Sequence, residues 1–176
     1  LGQGPTASFE WAVTATASIG THMLDRGYAL RLVTADGAAV ASTWHDASSG
    51  PGAAEGVVLE ALAVATTTRS ASVGGFAGAL TGADSASGLL IAVLGHLTPQ
   101  EAEVLARVRS GATPALAIVT DATTWGAGTG TTASERDAAV AVLRHGGWRI
   151  TTASRGEPVA VVWERLARFA GARAEA

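Results

Sequence analysis

The chain has no lysine, no cysteine and no asparagine, and all 12 of its basic side chains are arginine. Without lysine there is no phosphate-loop lysine, no Schiff base and no Ser–Lys dyad. Without cysteine there is no thiol nucleophile, no disulfide and no thiolate zinc site. A total absence of cysteine also leaves the redox compartment unspecified. The bias toward Ala, Gly and Arg is that of a GC-rich, actinobacterial-type coding sequence and is neutral about function. No apolar run approaches the ~20 residues of a membrane span. The longest, residues 89–94, has the length of a buried strand. No signal-peptide pattern is present. The formal charge of −3 with a pI near 5.8, and the lack of any basic run, give no reason to expect a nucleic-acid partner.

Hydrophobic residues make up 48% of the 176 positions, which suits one folded domain spanning residues 1–176. The chain starts at Leu1 rather than Met, and the expectation is a piece of a longer protein whose own membrane segments this sequence does not report.

Periodicity predicts a helix over residues 9–26, capped by Ser8 and presenting Phe9, Val13, Ala17 and Leu24 on a broad apolar face. Residues 28–35 and 40–44 read as two strands joined by an Asp36-Gly37 turn, hence a hairpin. A loop over 45–54 leads to a helix over 55–66. Residues 66–88, rich in Thr, Ser and Gly, are ambiguous. Residues 89–94 form an uninterrupted apolar strand, as expected for the middle of a covered parallel sheet. Thr98-Pro99-Gln100-Glu101 is a strong helix start, with a cap, proline at the first helical position and a glutamate closing a capping box; that helix runs to 109. A strand over 115–120, a Gly/Thr-rich loop over 121–133, a helix over 134–145 ending at Gly146-Gly147, a strand over 148–153 and a helix over 158–170 complete the reading. The alternation argues for an α/β fold with a doubly wound, mostly parallel sheet, helices on both faces and one antiparallel edge hairpin.

In open α/β sheets ligands gather beyond the carboxyl ends of the strands. That rule selects Gly95 and His96 after one strand and Thr120, Asp121, Thr123, Thr124 and Trp125 after the next. The last five are the candidate binding residues. His96 and Asp121 are the weak catalytic candidates, as a base and its orienting carboxylate. The simpler reading has His96 leading into the Thr98 cap and Asp121 bracing its loop. Gly126 to Gly130 matches neither the dinucleotide nor the phosphate-loop spacing and reads as a surface loop. Trp44-His45-Asp46 is a second, weaker binding edge, whereas Trp11, Trp148 and Trp163 read as core. The four histidines, His22, His45, His96 and His145, lack metal-ligand spacing, and no Gly-x-Ser-x-Gly elbow is present. No metal site and no cofactor are expected.

Phe9-Glu-Trp-Ala-Val with Ala17-Ser18-Ile19, Arg26-Gly-Tyr-Ala-Leu-Arg-Leu-Val33, residues 59–63 and Val162-Trp-Glu-Arg-Leu166 together resemble the C-terminal half of a bacterial family grouped as domain of unknown function 58. Those proteins look like von Willebrand factor A domains. The resemblance implies a soluble C-terminal part of a membrane-anchored protein at the cytoplasmic face of the bacterial membrane. It also implies a role as a protein-interaction or assembly module, with a MoxR-type AAA+ ATPase as partner and no membrane contact within this chain. In metal-binding von Willebrand A domains an Asp-x-Ser-x-Ser motif follows the first strand and an Asp follows the fourth. Here the corresponding fourth strand ends in Gly95-His96, so the resemblance implies no metal site of that kind. It places the first strand upstream of Leu1. Residues 28–35 and 89–94 are then expected to pair directly, or with a second copy in a homodimer. The alternative to an interaction domain is a small α/β hydrolase-like enzyme using His96 and Asp121.

Overall fold

A computed structural model describes residues 5–34, 39–43, 52–66, 88–108, 113–126 and 132–171. The first helix, α1, spans Pro5–Asp25. It begins ahead of Ser8, which therefore lies inside the helix and is not its cap. Proline's fixed φ suits a helix's first turn, where its missing N–H costs nothing. The Thr14, Thr16 and Ser18 hydroxyls donate to the carbonyls of Glu10, Ala12 and Thr14 at 2.9, 2.8 and 2.8 Å, satisfying polar groups that would otherwise compete with the helix. The chain leaves α1 through Gly27, whose φ of +80° is left-handed. Gly27 N–H donates to the Leu24 carbonyl and Tyr28 N–H to that of Met23, a Schellman closure that favours glycine at this place.

Next come β1, Leu30–Val33, and β2, Ala39–Thr43, paired antiparallel from Leu30 opposite Thr43 to Val33 opposite Ala39. The Asp36-Gly37 turn lies outside the described residues, as do Trp44-His45-Asp46 and almost all of the ambiguous run before residue 88. Helix α2 spans Ala53–Ala63, two residues earlier at its start than its apolar spacing predicts.

The second half alternates regularly. Strand β3 is Leu90–Leu94, α3 is Pro99–Val108, β4 is Ala115–Thr120, α4 is Ala133–His145, β5 is Arg149–Ala153 and α5 is Val159–Gly171. A 3-10 turn, Ala122–Trp125, follows β4. The three strands are parallel in the order β3-β4-β5, with Leu90 opposite Ala115 and Leu116 opposite Arg149. The middle strand is β4, all six of whose residues are buried. This corrects the expectation for residues 89–94: β3 has one strand neighbour among the described residues, and only its Ala92 is fully buried.

Side-chain parity along β4 divides the core in two. Ala115, Ala117 and Val119 join Leu105 of α3, Leu143 of α4 and Trp148 on one face. Leu116 and Ile118 join Ile19 of α1 with Val162 and Leu166 of α5 on the other. A period-2 strand covered on both faces must be apolar along its length, which Ala-Leu-Ala-Ile-Val is, with the polar Thr120 only at its carboxyl end. Helices therefore flank the three-stranded parallel sheet on both sides.

The β1–β2 pair is a sheet of its own. Direct pairing of residues 28–35 with 89–94 does not occur among the described residues: β1 bonds to β2, its near neighbour in sequence, and β3 to β4. A short loop closes at small entropic cost, so the local partner wins. Helix α1 spans the two sheets. Ile19 sits in the core with Ile91 alongside, while a Cβ at Gly20 would stand 3.8 Å from Leu30 Cδ1 and 3.6 Å from Val58 Cγ1 of α2.

Candidate functional site

Two crossover loops meet at the carboxyl edge of the parallel sheet. After β3, Gly95 and His96 pass over buried Leu97 to Thr98, where α3 begins. Thr98 and Glu101 close the expected capping box: the carboxylate accepts from the Thr98 N–H and hydroxyl, each at 2.8 Å, and Glu101 N–H donates to the Thr98 hydroxyl at 3.3 Å. After β4, buried Thr120 leads to Asp121, which caps the 3-10 turn. Helix α4 starts beside it with a second reciprocal cap, Thr132 with Glu135.

These loops enclose a shallow recess lined by Gly95, His96, Asp121, Thr123, Thr132 and Arg136 among others, with about 250 Å³ of free space including its open mouth. Its enclosed part is only about 10 Å³, far below the usual size of a small-molecule pocket. The topology accounts for it. Crevices open in such sheets where the strand order reverses, and from β3 through β4 to β5 the order runs in one direction.

Asp121 is the most heavily engaged side chain in the recess. Its Oδ1 accepts from the Thr123 hydroxyl at 2.6 Å and the Thr123 N–H at 3.2 Å. It also pairs with the Arg136 guanidinium from α4, both side chains being only about a fifth exposed, at 18% and 20%. Arg136 reaches Asp137 as well, from Nε at 3.2 Å and Nη2 at 3.1 Å. Burial alone would lower the Arg136 pKa, but the Asp137 and Asp121 carboxylates outweigh it and hold the group above its usual value. The Asp121 backbone is tied too. Its N–H donates to the Ala153 carbonyl at 2.8 Å, and its carbonyl accepts from the Thr124 hydroxyl at 2.8 Å and N–H at 3.0 Å.

His96 lines the same recess, so the structure brings the two catalytic candidates to one place. Among the described residues no hydrogen bond joins them, and the Asp121 carboxylate is directed at Arg136 and Thr123. His96 instead acts through space on Glu135. That carboxyl is held below its ordinary value chiefly by the Thr132 N–H and hydroxyl, with a smaller contribution from His96.

The five candidate binding residues separate. Thr120 and Thr123 line the recess with Asp121. Thr124 turns to the neighbouring loop, where its hydroxyl accepts from Arg155 N–H at 2.9 Å. Trp125 is a correction: it is 2% exposed and packs against Trp11 with ring centroids 6.5 Å apart. A 3-10 turn aims its last residue back under the loop, which the spacing of a presumed irregular stretch could not reveal. Trp148 is buried as expected, Trp11 and Trp163 are partly buried against the second core cluster, and residues 127–130 lie outside the described residues.

Sequence reasoning missed Arg136 and Thr132. Thr132-Ala-Ser-Glu135 is itself a capping-box spacing, and it would have placed Arg136 in the first turn facing the β4 loop. It also missed a second polar cluster. Glu157 accepts Ser154 N–H at 2.9 Å and Arg165 Nη2 at 2.7 Å, while its carbonyl accepts Trp11 Nε1 at 2.9 Å. Arg165 reaches on to the Thr152 carbonyl at 2.9 Å. These bonds tie α1 and α5 to the end of β5. Among the described residues no group of three or more His, Asp or Glu side chains is arranged to hold a metal ion.

No protein-family model, curated protein or solved structure matches this chain.

Proposed function

We propose that this chain is a non-catalytic protein-interaction or assembly domain, the C-terminal part of a membrane-anchored bacterial protein of the domain-of-unknown-function-58 type that works with a MoxR-type AAA+ ATPase. The observation that carries the non-catalytic half is the engagement of Asp121 by Arg136 and Thr123. A general base needs an orienting group aimed at it, and this carboxylate is aimed elsewhere. The shallow recess points the same way. The family and its partner rest on the resemblance of residues 9–33, 59–63 and 162–166. No helix among the described residues is long and apolar enough to cross a membrane, so anchoring would fall to other parts of the parent.

The test is binding of the purified domain to the MoxR-type ATPase of the same genome, by biolayer interferometry with and without nucleotide. A transient interface predicts saturable binding, with a Kd on the order of micromolar. No saturation at that level would remove the partner assignment. The hydrolase reading, favoured only by the shared recess, is tested separately with an ester and amide substrate panel. Turnover abolished by His96→Ala in a domain of unchanged circular dichroism would overturn the non-catalytic reading.

A further inference from the structure

We infer that the outer edge of β3 is a self-complementary docking strand, and that its occupant is β3 of a second copy of this chain. The argument begins with the direction of its backbone groups. Leu90 N–H donates to the Pro114 carbonyl on the β4 side at 3.0 Å. In a parallel ladder the N–H and C=O of one residue point the same way and alternate along the strand. Leu90, Ala92 and Leu94 therefore serve β4, while Ile91 and Val93 turn theirs outward, where no strand pairs with them among the described residues. Exposed edges are ordinarily protected by charge, proline or a bulge. The stretch Leu90-Ile-Ala-Val-Leu94 has no charge and no proline, and its register against β4 is unbroken.

The choice of a second copy comes from the order of those five residues, which is nearly palindromic about Ala92. A two-fold axis through Ala92, perpendicular to the sheet, sets Leu90 opposite Leu94 of the other copy, Ile91 opposite Val93 and Ala92 opposite itself. Every pair is apolar and matched in size. Hydrogen bonding agrees with that register. Ile91 and Val93 become the hydrogen-bonded pairs, each exchanging two N–H···O bonds. Ala92, facing β4, becomes the central non-bonded pair, where Cα atoms approach to about 4.5 Å and a small side chain fits. The faces agree as well. Ala92 belongs to the core under α3 and α4, and Ile91 packs against the core under α1 and α5, and the axis lays like faces side by side. The contact is isologous and closed, joining two three-stranded sheets into one of six. This inference does not rest on the family assignment, under which a strand supplied from upstream would hold this same edge of β3.

The test combines hydrogen exchange with sedimentation. The wild-type domain should sediment as a concentration-dependent monomer–dimer equilibrium in the range of about 1–100 µM, a weak association expected of a short edge. The Ile91 and Val93 amides should exchange about two- to sevenfold slower at the top of that range than at the bottom, as the monomer fraction falls, while the Ala92 amide, bonded inside the chain, stays unchanged. Val93→Pro deletes an outward N–H without touching the β4 ladder, a place where an edge strand tolerates proline, and should leave the folded domain monomeric. A wild-type chain monomeric throughout the range would overturn the inference. So would a dimer whose Ile91 and Val93 amides exchange freely, which would assign the contact elsewhere, or a folded Val93→Pro that still dimerises. Should that variant fail to fold, the two wild-type amides decide alone.

Discussion

At Thr132 and Glu135 a single side-chain pair links helix initiation to the candidate site. Glu135 accepts the Thr132 N–H at 2.9 Å and hydroxyl at 3.2 Å, returning the bond that Thr132 makes to the Glu135 N–H. Its pKa lies below the ordinary 4.5, chiefly because those bonds favour the charged form. A carboxyl whose folded pKa is depressed contributes stability above its unfolded pKa and loses it as pH falls through the folded one. Glu135→Gln keeps the capping geometry but removes the charge. It is therefore expected to melt below wild type at neutral pH, with the difference shrinking once the pH drops below about 4.5 and vanishing in stronger acid, as followed by thermal denaturation across that range. A constant difference at all pH values would mean the charge is irrelevant to the cap. Of this site, His96 and Asp121 were legible because the strand ends were legible. Arg136 was legible only through Thr132: of the possible caps Thr131, Thr132 and Ser134, it alone has a glutamate three residues on, and that choice decides which residue of α4 meets the β4 loop.

At the scale of elements, α3 and α4 are pressed together where α4 ends. Gly147, with φ +82°, closes the helix as Gly27 closes α1, with Trp148 N–H returning to the Leu143 carbonyl. Gly146 beside it has an ordinary φ of −70°, and its reason is space. A Cβ there would stand 2.7 Å from Ala106 Cβ and 3.3 Å from Ala106 Cα on α3. Gly146→Ala must therefore push the two helices apart, an overpacking cost of about 1–3 kcal/mol, or roughly 2–4 °C of Tm per kcal/mol in a domain of this size. Ala106→Gly on its own should cost about 1 kcal/mol as a glycine inside a helix. The double variant should be more stable than the sum of the two losses, a positive coupling that a double-mutant cycle by urea denaturation measures. Strict additivity would refute the close approach. The Gly146-Gly147 pair was legible as a helix stop. That only the second glycine serves the turn while the first serves the neighbouring helix was not, since the distinction depends on an element some forty residues away.

For the whole molecule, α1 is the joint between two sheets. Trp11 is held by the Glu157 carbonyl at 2.9 Å, Ile19 enters the core of the parallel sheet, and Thr21 reaches Glu55 of α2 at 3.5 Å. Gly20 faces β1 and α2 at ordinary contact distance, so Gly20→Ala should fit and stabilise by about 0.5–1 kcal/mol through lower chain entropy in the unfolded state. Gly20→Leu cannot fit without moving Val58 and Leu30. It should raise hydrogen exchange in β1, β2 and α2 while leaving β4 protected, because β4 is buried by α3, α4 and α5 as well. Uniform loss of protection would show instead that the two sheets unfold as one unit. Local pattern alone determined most of the elements: periods of 2 and 3.6, a proline after Thr98, and glycines after helices act over a few residues and need no distant partner. Residues 115–120 were predicted end to end for that reason. Only the tertiary structure decided which strand lies in the middle, that β1 and β2 stand as a separate sheet, that Trp125 is core, and that Asp121 belongs to Arg136 and not to His96. Those are choices among partners far apart in sequence. They turn on chain-closure entropy, packing volume and which side chain from another element reaches one carboxylate, none of which is written in any single stretch of the chain.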